Sequence, residues 1–128
     1  MPSFADALGI HPTTVALRAR RAEVLAANIA NADTPGYQAR DIDFRAVLGA
    51  AGEAGRLATT HAGHLSSSAA ANGGELQYRQ PLHASLDQNT VDVQAERAAF
   101  LDNALRYQAS MSFLNGKITG LKSALRGE

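Results

Sequence analysis

The sequence predicts a mainly α fold, with N- and C-terminal heptad helices packed as an antiparallel pair or coiled-coil bundle. Between them it leaves a long irregular middle with room for short β segments. Three observations lead there. Near the N-terminus, apolar residues recur in alternating steps of four and three. The same alternation returns along the last part of the chain. The stretch between is rich in Gly, Ala and Ser and holds no sustained period. The natural divisions are 1–37 (N-terminal helix and turn), 38–91 (middle) and 92–128 (long C-terminal helix), with the two ends forming one unit.

The first stripe is Phe4, Leu8, His11, Val15, Arg18, Ala22, Leu25 and Ile29, with His11 and Arg18 as polar exceptions. Gly9 and Pro12 interrupt it. Proline is tolerated in the first turn of a helix and damaging inside one. The expectation is a short helical piece before Gly9 and a main helix from Pro12 to Asn31, about 30 Å long. Asn28 and Asn31 share one face of the last turn, where their amides can reach carbonyls that lack partners. Asn31 also suits the left-handed conformation that often closes a helix. Thr34-Pro35-Gly36-Tyr37 carries the residues of a type II turn: Pro35 presets φ and Gly36 supplies the positive φ.

Gln38 to Leu48 alternates at Ile42 and Phe44, and reads equally as a short extended segment or a solvated loop. Gly49 to Glu75, including Ser66-Ser67-Ser68-Ala69-Ala70-Ala71-Asn72-Gly73-Gly74, reads as a flexible loop. Leu76 to Leu86 alternates weakly, and Pro81 argues against a central strand, which leaves a short edge strand or extended arm. Asp87-Gln88-Asn89-Thr90 reads as a turn.

Asp92 is the N-cap candidate of the last helix, with Glu96 in its first turn. Val93, Phe100, Ala104, Tyr107, Met111, Leu114, Ile118, Leu121 and Leu125 form the second stripe, unbroken from Phe100 onward. Acidic residues at the start and Lys122 and Arg126 at the end match the helix macrodipole. This helix spans roughly 50 Å. Gly116 and Gly120 each cost about 1 kcal/mol against Ala in a helix interior. Two helices of unequal length cannot bury both stripes fully. The residues expected to form helix interfaces are Val15, Leu25, Ile29, Phe100, Tyr107, Met111, Leu114, Ile118, Leu121 and Leu125. The surplus apolar surface on Phe100 to Leu125 calls for partners.

Composition narrows the function classes. Twelve Lys and Arg balance twelve Asp and Glu, so no bulk charge draws the chain to nucleic acid or an anionic membrane. Ile, Leu, Val and Phe make up about a fifth of the chain, near the level below which a packed core fails. A marginally stable monomer is expected. Without cysteine there are no disulfides, thiolate metal sites or thiol nucleophiles. No apolar run approaches the roughly 18 residues of a membrane span, and the first ten residues do not resemble a cleaved secretory signal. Read alone, this suggests a cytoplasmic protein.

Candidate chemistry is sparse. His61 and His64 have a minimal metal-ligand spacing but no third ligand nearby. His11 and His83 read as structural. Asp41 and Asp43 would share a face of an extended segment, read as solvated. Arg18, Arg20 and Arg21 form a small basic cluster offset by Glu23 and Asp33. There is no phosphate-binding glycine loop and no nucleophile elbow. No catalytic, cofactor or metal site is expected.

Asn28-Ile29-Ala30-Asn31-Ala32-Asp33-Thr34-Pro35-Gly36-Tyr37 resembles the N-terminal signature of bacterial flagellar rod, hook and hook-associated proteins. The continuation Gln38-Ala39-Arg40-Asp41-Ile42-Asp43-Phe44 narrows the resemblance to the FlgB family of proximal rod proteins. Asn89-Thr90-Val91-Asp92, Glu96 and the helix through Leu105-Arg106-Tyr107-Gln108 to Asn115-Gly116-Lys117 resemble that family's C-terminal half, and Thr59 to Leu65 its middle. Gln88 departs from the family pattern, where glycine is expected, and Val93-Gln94 replaces a more acidic start. The resemblance implies a structural subunit that leaves the cell interior through the flagellar type III apparatus without a cleaved signal. Its partners would be other rod proteins, MS-ring and rod-adaptor proteins and the export gate, in a homo- and hetero-oligomeric assembly in the periplasmic basal body. It implies assembly roles for Asn28, Asn31, Thr34, Pro35, Gly36 and Tyr37. A small cytoplasmic coiled-coil adaptor or export chaperone would share the heptads and is the alternative.

Overall fold

The computed structural model describes residues 4–54 and 75–127. The N-terminal region is helical in two pieces, α1 (Phe4–Leu8) and α2 (His11–Ala30). Gly9 separates them at φ 62°, a left-handed backbone that glycine adopts without strain. Pro12 sits in the first turn of α2, where its missing N–H costs nothing. After the Thr34–Tyr37 turn come β1 (Arg40–Ile42), α3 (Phe44–Ala54), β2 (Leu76–Tyr78) and α4 (Val93–Arg126). The fold is mainly helical, and α2 and α4 pack against each other as its central contact. Asn28 meets Glu96 at one end of the pair, and His11 stacks near Phe113 at the other with ring centroids 6.3 Å apart. The two helices are therefore antiparallel.

α3 departs from the sequence expectation of an extended segment running into a loop. Asp43 starts it: its carboxylate accepts from the Ala46 N–H at 3.0 Å, and its carbonyl accepts from Val47 N–H. That is a helix N-cap followed by good helix formers. Phe44 then packs beneath Arg18, whose guanidinium lies 4.2 Å from the ring centroid. β1 and β2 form a two-stranded antiparallel ribbon with Arg40 opposite Tyr78, Asp41 opposite Gln77 and Ile42 opposite Leu76. β2 is exposed along its whole length, as an edge strand should be, and Pro81 lies beyond it. His61, His64 and most of the Gly/Ala/Ser-rich stretch lie outside the described residues.

α4 runs 34 residues from the predicted cap. The Asp92 side chain accepts from the N–H groups of Gln94 and Ala95, and Gly127 closes the helix in the left-handed conformation. The buried apolar residues among those described are few: Leu17, Leu25, Ala39 and Ile42. α2 also packs against β1, whose Ile42 is one of these four. The centre of the α2–α4 seam is polar. Glu96, Asn103 and Ser110, seven apart on α4, are all buried. Asn103 donates to the Arg18 carbonyl at 2.9 Å, and Ser110 accepts from Arg18 Nε at 3.2 Å.

With so little apolar burial, each core leucine matters. Leu25→Ala should cost about 2–5 kcal/mol, whereas Leu101→Ala, at a side chain 65% exposed, should change stability by under about 0.5 kcal/mol. Urea denaturation followed by circular dichroism at 222 nm checks both.

Candidate functional site

The end of α2, the turn after it and the start of α4 come together in one polar buckle. Asn28 is its centre and is fully buried. Its Nδ2 donates to the Arg40 carbonyl at 2.7 Å and to Glu96 Oε2 at 3.0 Å. Its Oδ1 accepts from the Arg40 N–H at 3.1 Å and from the Tyr37 hydroxyl at 3.3 Å. Two donors and two acceptor positions are all a carboxamide has, and all are filled. Asn28 thus does not serve the carbonyls of its own helix, as its position suggested. It joins α2 to β1 and α4.

Asn31 does serve its own helix, donating from Nδ2 to the Ala27 carbonyl at 2.8 Å. Its φ of −101° is not left-handed, because the chain leaves α2 through a further tight turn, Thr34 N–H to the Asn31 carbonyl. The Thr34 hydroxyl donates to Asn31 Oδ1 at 3.1 Å. Tyr37 N–H closes the predicted turn onto the Thr34 carbonyl, with Gly36 at φ 71°. Pro35 and Gly36 are exposed on this turn, and Gly36 N–H bonds to the Asp87 carbonyl at 2.8 Å.

Asn89 clamps the same corner from the far side. From one buried Nδ2 it donates to the carbonyls of Asn31, Ala32 and Thr34, at 3.0, 2.8 and 2.9 Å. The Asn31 and Thr34 carbonyls also accept the Thr34 and Tyr37 N–H groups, so Asn89 adds a second bond to each and holds the turn from the other side. Its Oδ1 accepts from Val91 N–H. Thr90 adds two bonds, its N–H to the Tyr37 carbonyl and its hydroxyl from Ala39 N–H. The residue before the clamp, Gln88, sits at φ 61°. The turn therefore demands the conformation that glycine adopts freely, at the position where Gln88 replaces it.

An ionic chain runs from the buckle to the ribbon. Arg21 grips Asp41 with two bonds, 2.9 and 3.0 Å. Arg79, just after β2, bonds to Asp41 Oδ2 at 2.6 Å and to Glu96 Oε1. Burial pushes the Asp41 carboxyl up, but hydrogen bonds from Arg21, Arg79 and the Ile42 N–H outweigh it and hold it below the ordinary carboxylate range. The bond to Asp41 holds the Arg21 guanidinium above its usual value. Asp41 and Asp43 are not the solvated pair the sequence suggests: one is this hub and the other caps α3. Glu96 does more than complement the helix dipole: it is the buried carboxylate shared by Asn28 and Arg79.

The expected interface residues divide. Leu25 is buried, and Val15, Ile29, Phe100, Tyr107, Met111, Leu114 and Leu121 are half-buried. Ile118 is 41% and Leu125 86% exposed. The stripe on α4 runs beside the polar seam rather than down its middle. Sequence reasoning missed Arg79, Asn103, Ser110 and the clamp role of Asn89, and it missed exposed Leu105 and Phe113. The seven-residue spacing of Glu96, Asn103 and Ser110 was the available signal, hidden because polar residues do not register in a hydrophobic period.

The buckle therefore maps onto the two segments that carry the family resemblance, and comparison with known proteins agrees. The profile described as Flagella basal body rod protein matches residues 10–38. Flagellar basal body rod protein FlgB of Cereibacter sphaeroides is 48% identical over the whole of both chains. The protein of the same name from Aeromonas hydrophila is 51% identical over 98% of this chain and 97% of its own. That of Escherichia coli is 50% identical over 94% and 93%. The chain belongs to the FlgB family of flagellar basal body rod proteins. Members of this family are structural components of the rod, and motility follows from that place. Among the described residues no group of three or more His, Asp or Glu side chains could hold a metal ion, and no helix is long and apolar enough to cross a membrane.

Three outcomes follow from the buckle. Arg79→Ala leaves the Glu96 charge buried and unpaired, at an expected loss on the order of 3 kcal/mol; adding Glu96→Gln should recover part of it in the same urea titration. Gln88→Gly removes the left-handed strain and should gain about 1 kcal/mol, read as a higher denaturation midpoint. The folded Asp41 pKa lies below its unfolded value, so the stability it contributes is present above the ordinary carboxylate range. It is lost as pH falls through the folded pKa. Unfolding free energy measured from neutral pH downward should fall less steeply in Asp41→Asn than in the parent chain.

Proposed function

We propose that this chain is a structural, non-catalytic subunit of the proximal rod, polymerising through its terminal helices in the shaft that links the MS ring and export gate to the distal rod and hook. The observation that carries the reading is the division of labour between the two anchors. The family signature is used up inside the chain, locking the helix pair shut. The apolar stripe of α4 is left beside the seam and ends uncovered at Ile118 and Leu125. A stripe that its own partner helix does not bury is complementary to a neighbour's.

The roles proposed for the signature residues follow. Asn28, Asn31, Thr34, Pro35, Gly36 and Tyr37 shape the corner that sets the angle and register of the pair, and the half-buried and exposed stripe residues meet neighbours. The thin core supports a marginally stable monomer that unfolds readily for a narrow export channel, passes it unprocessed, and gains its full stability against other rod proteins in the periplasm. MS-ring and rod-adaptor proteins are the proposed contacts at the base.

The test is an in-frame deletion in a strain with no other copy, with electron microscopy of basal bodies. Rodless basal bodies, loss of hooks and filaments, and rescue by the intact chain support the reading; normal rods and filaments overturn it. Within that strain Ile118→Asp and Leu114→Asp should each fail to restore swimming, because assembly would bury an unpaired charge. The Ile118 variant should keep its helicity.

A further inference from the structure

A groove lies between α2 and α4 on the flank of the polar seam, lined by Ala19, Ala22, Asn103, Ala104, Tyr107 and Gln108, with a volume of about 460 Å³. Its walls are small and mainly apolar. Asn103 is 1% exposed, and its Oδ1 accepts no hydrogen bond from the described residues. An enclosed acceptor left without a donor costs about 1–3 kcal/mol. The groove thus offers an alanine-walled trough open to a further helix.

The same stripe continues beyond it. Ala104, Met111, Ile118 and Leu125 are seven apart and lie along one side of α4. α2 starts opposite Phe113, and past the short α1 nothing among the described elements covers the last turns of α4. Leu125 is 86% exposed there. We infer that the groove seats the uncovered last turns of α4, Ile118 to Leu125, from a second copy of this chain. This rests on the rod-subunit reading and names the surface through which one copy meets the next.

Three features select that occupant. The groove and the tail are parts of one apolar stripe, so a seated tail continues the α2–α4 interface already present. Their charges are complementary. Lys122, four after Ile118 and three before Leu125, borders the tail's stripe, and exposed Glu23, four after Ala19, borders the groove. Finally, groove and tail are different surfaces of the molecule. A contact between them is heterologous, so a joined pair still presents one free groove and one free tail, through which the array extends as a shaft requires.

The chain has no cysteine, so single thiols report the contact. Ala104→Cys and Leu125→Cys chains are expressed together as the only copies in the deletion strain, and cells are treated with a short bismaleimide. The expected product is an adduct joining the two variants, absent when either is expressed alone. Pairing Leu125→Cys with Ala109→Cys, an exposed position on the other side of α4, should give none. Ala104→Trp, which fills the groove at an exposed residue, should keep monomer helicity and lose swimming. Swimming cells without the Ala104–Leu125 adduct, an equal adduct from Ala109, an adduct of Ala104 with a different protein, or full swimming by Ala104→Trp would each overturn the inference while leaving the rod reading intact. Swimming in the uncomplemented deletion strain would overturn both.

Discussion

The Asn28 carboxamide, saturated by four hydrogen bonds in a fully buried position, is what the remaining structure depends on. An amide offers two donors and two acceptor sites in a fixed plane, so filling all of them fixes three elements at once. The backbone of Arg40 must lie on one side, Glu96 on another, and the Tyr37 ring must fold back over the helix end. The ribbon, the entrance of α4 and the turn are thereby referred to one side chain. Neither Asp nor Ala can reproduce this pattern: one lacks the donors and the other lacks everything.

Around that group the protein is held by polar specificity more than by apolar mass. Four apolar residues form the described core, against five buried polar ones, Asn28, Asn89, Glu96, Asn103 and Ser110. Buried polar side chains contribute little net stability, but each misalignment leaves a group unsatisfied. A one-turn slip of α4 along α2 would separate Glu96 from Asn28 and Asn103 from the Arg18 carbonyl together. Such a seam specifies register while leaving total stability small. That combination suits a chain of small net stability whose two long helices must still meet in one register.

The two glycines at 116 and 120 fit the same view. A Cβ at either would meet nothing within 4 Å, so the isolated chain gains nothing from them. The apolar groups on the flank and end of α4 are likewise idle in the monomer. Surface features that the fold does not use are concentrated on the helix that outlasts its partner.

Periodicity determined the two long helices, and residue chemistry the cap at Asp92 and the turn at Gly36, because these depend on neighbours within a few residues in the chain. Gln88 stood out only against the family resemblance, which expects glycine there, and the structure supplies the reason in its positive φ. The short helix from Phe44 was not read, although Asp43 announced it, because a three-residue strand ends immediately before it and masks the change of period. What the tertiary structure decided was the rotation of α4 about its own axis. The heptad stripe placed Phe100 to Leu125 at the centre of the pair, whereas Glu96, Asn103 and Ser110 occupy it. That rotation is chosen by Asn28, Arg18 and Arg79, which lie far from α4 in sequence or outside its period, and by the high cost of leaving a buried charge or amide unpaired. Hydrophobic pattern shows which side of a helix avoids water; only the folded chain shows which buried polar groups have found each other.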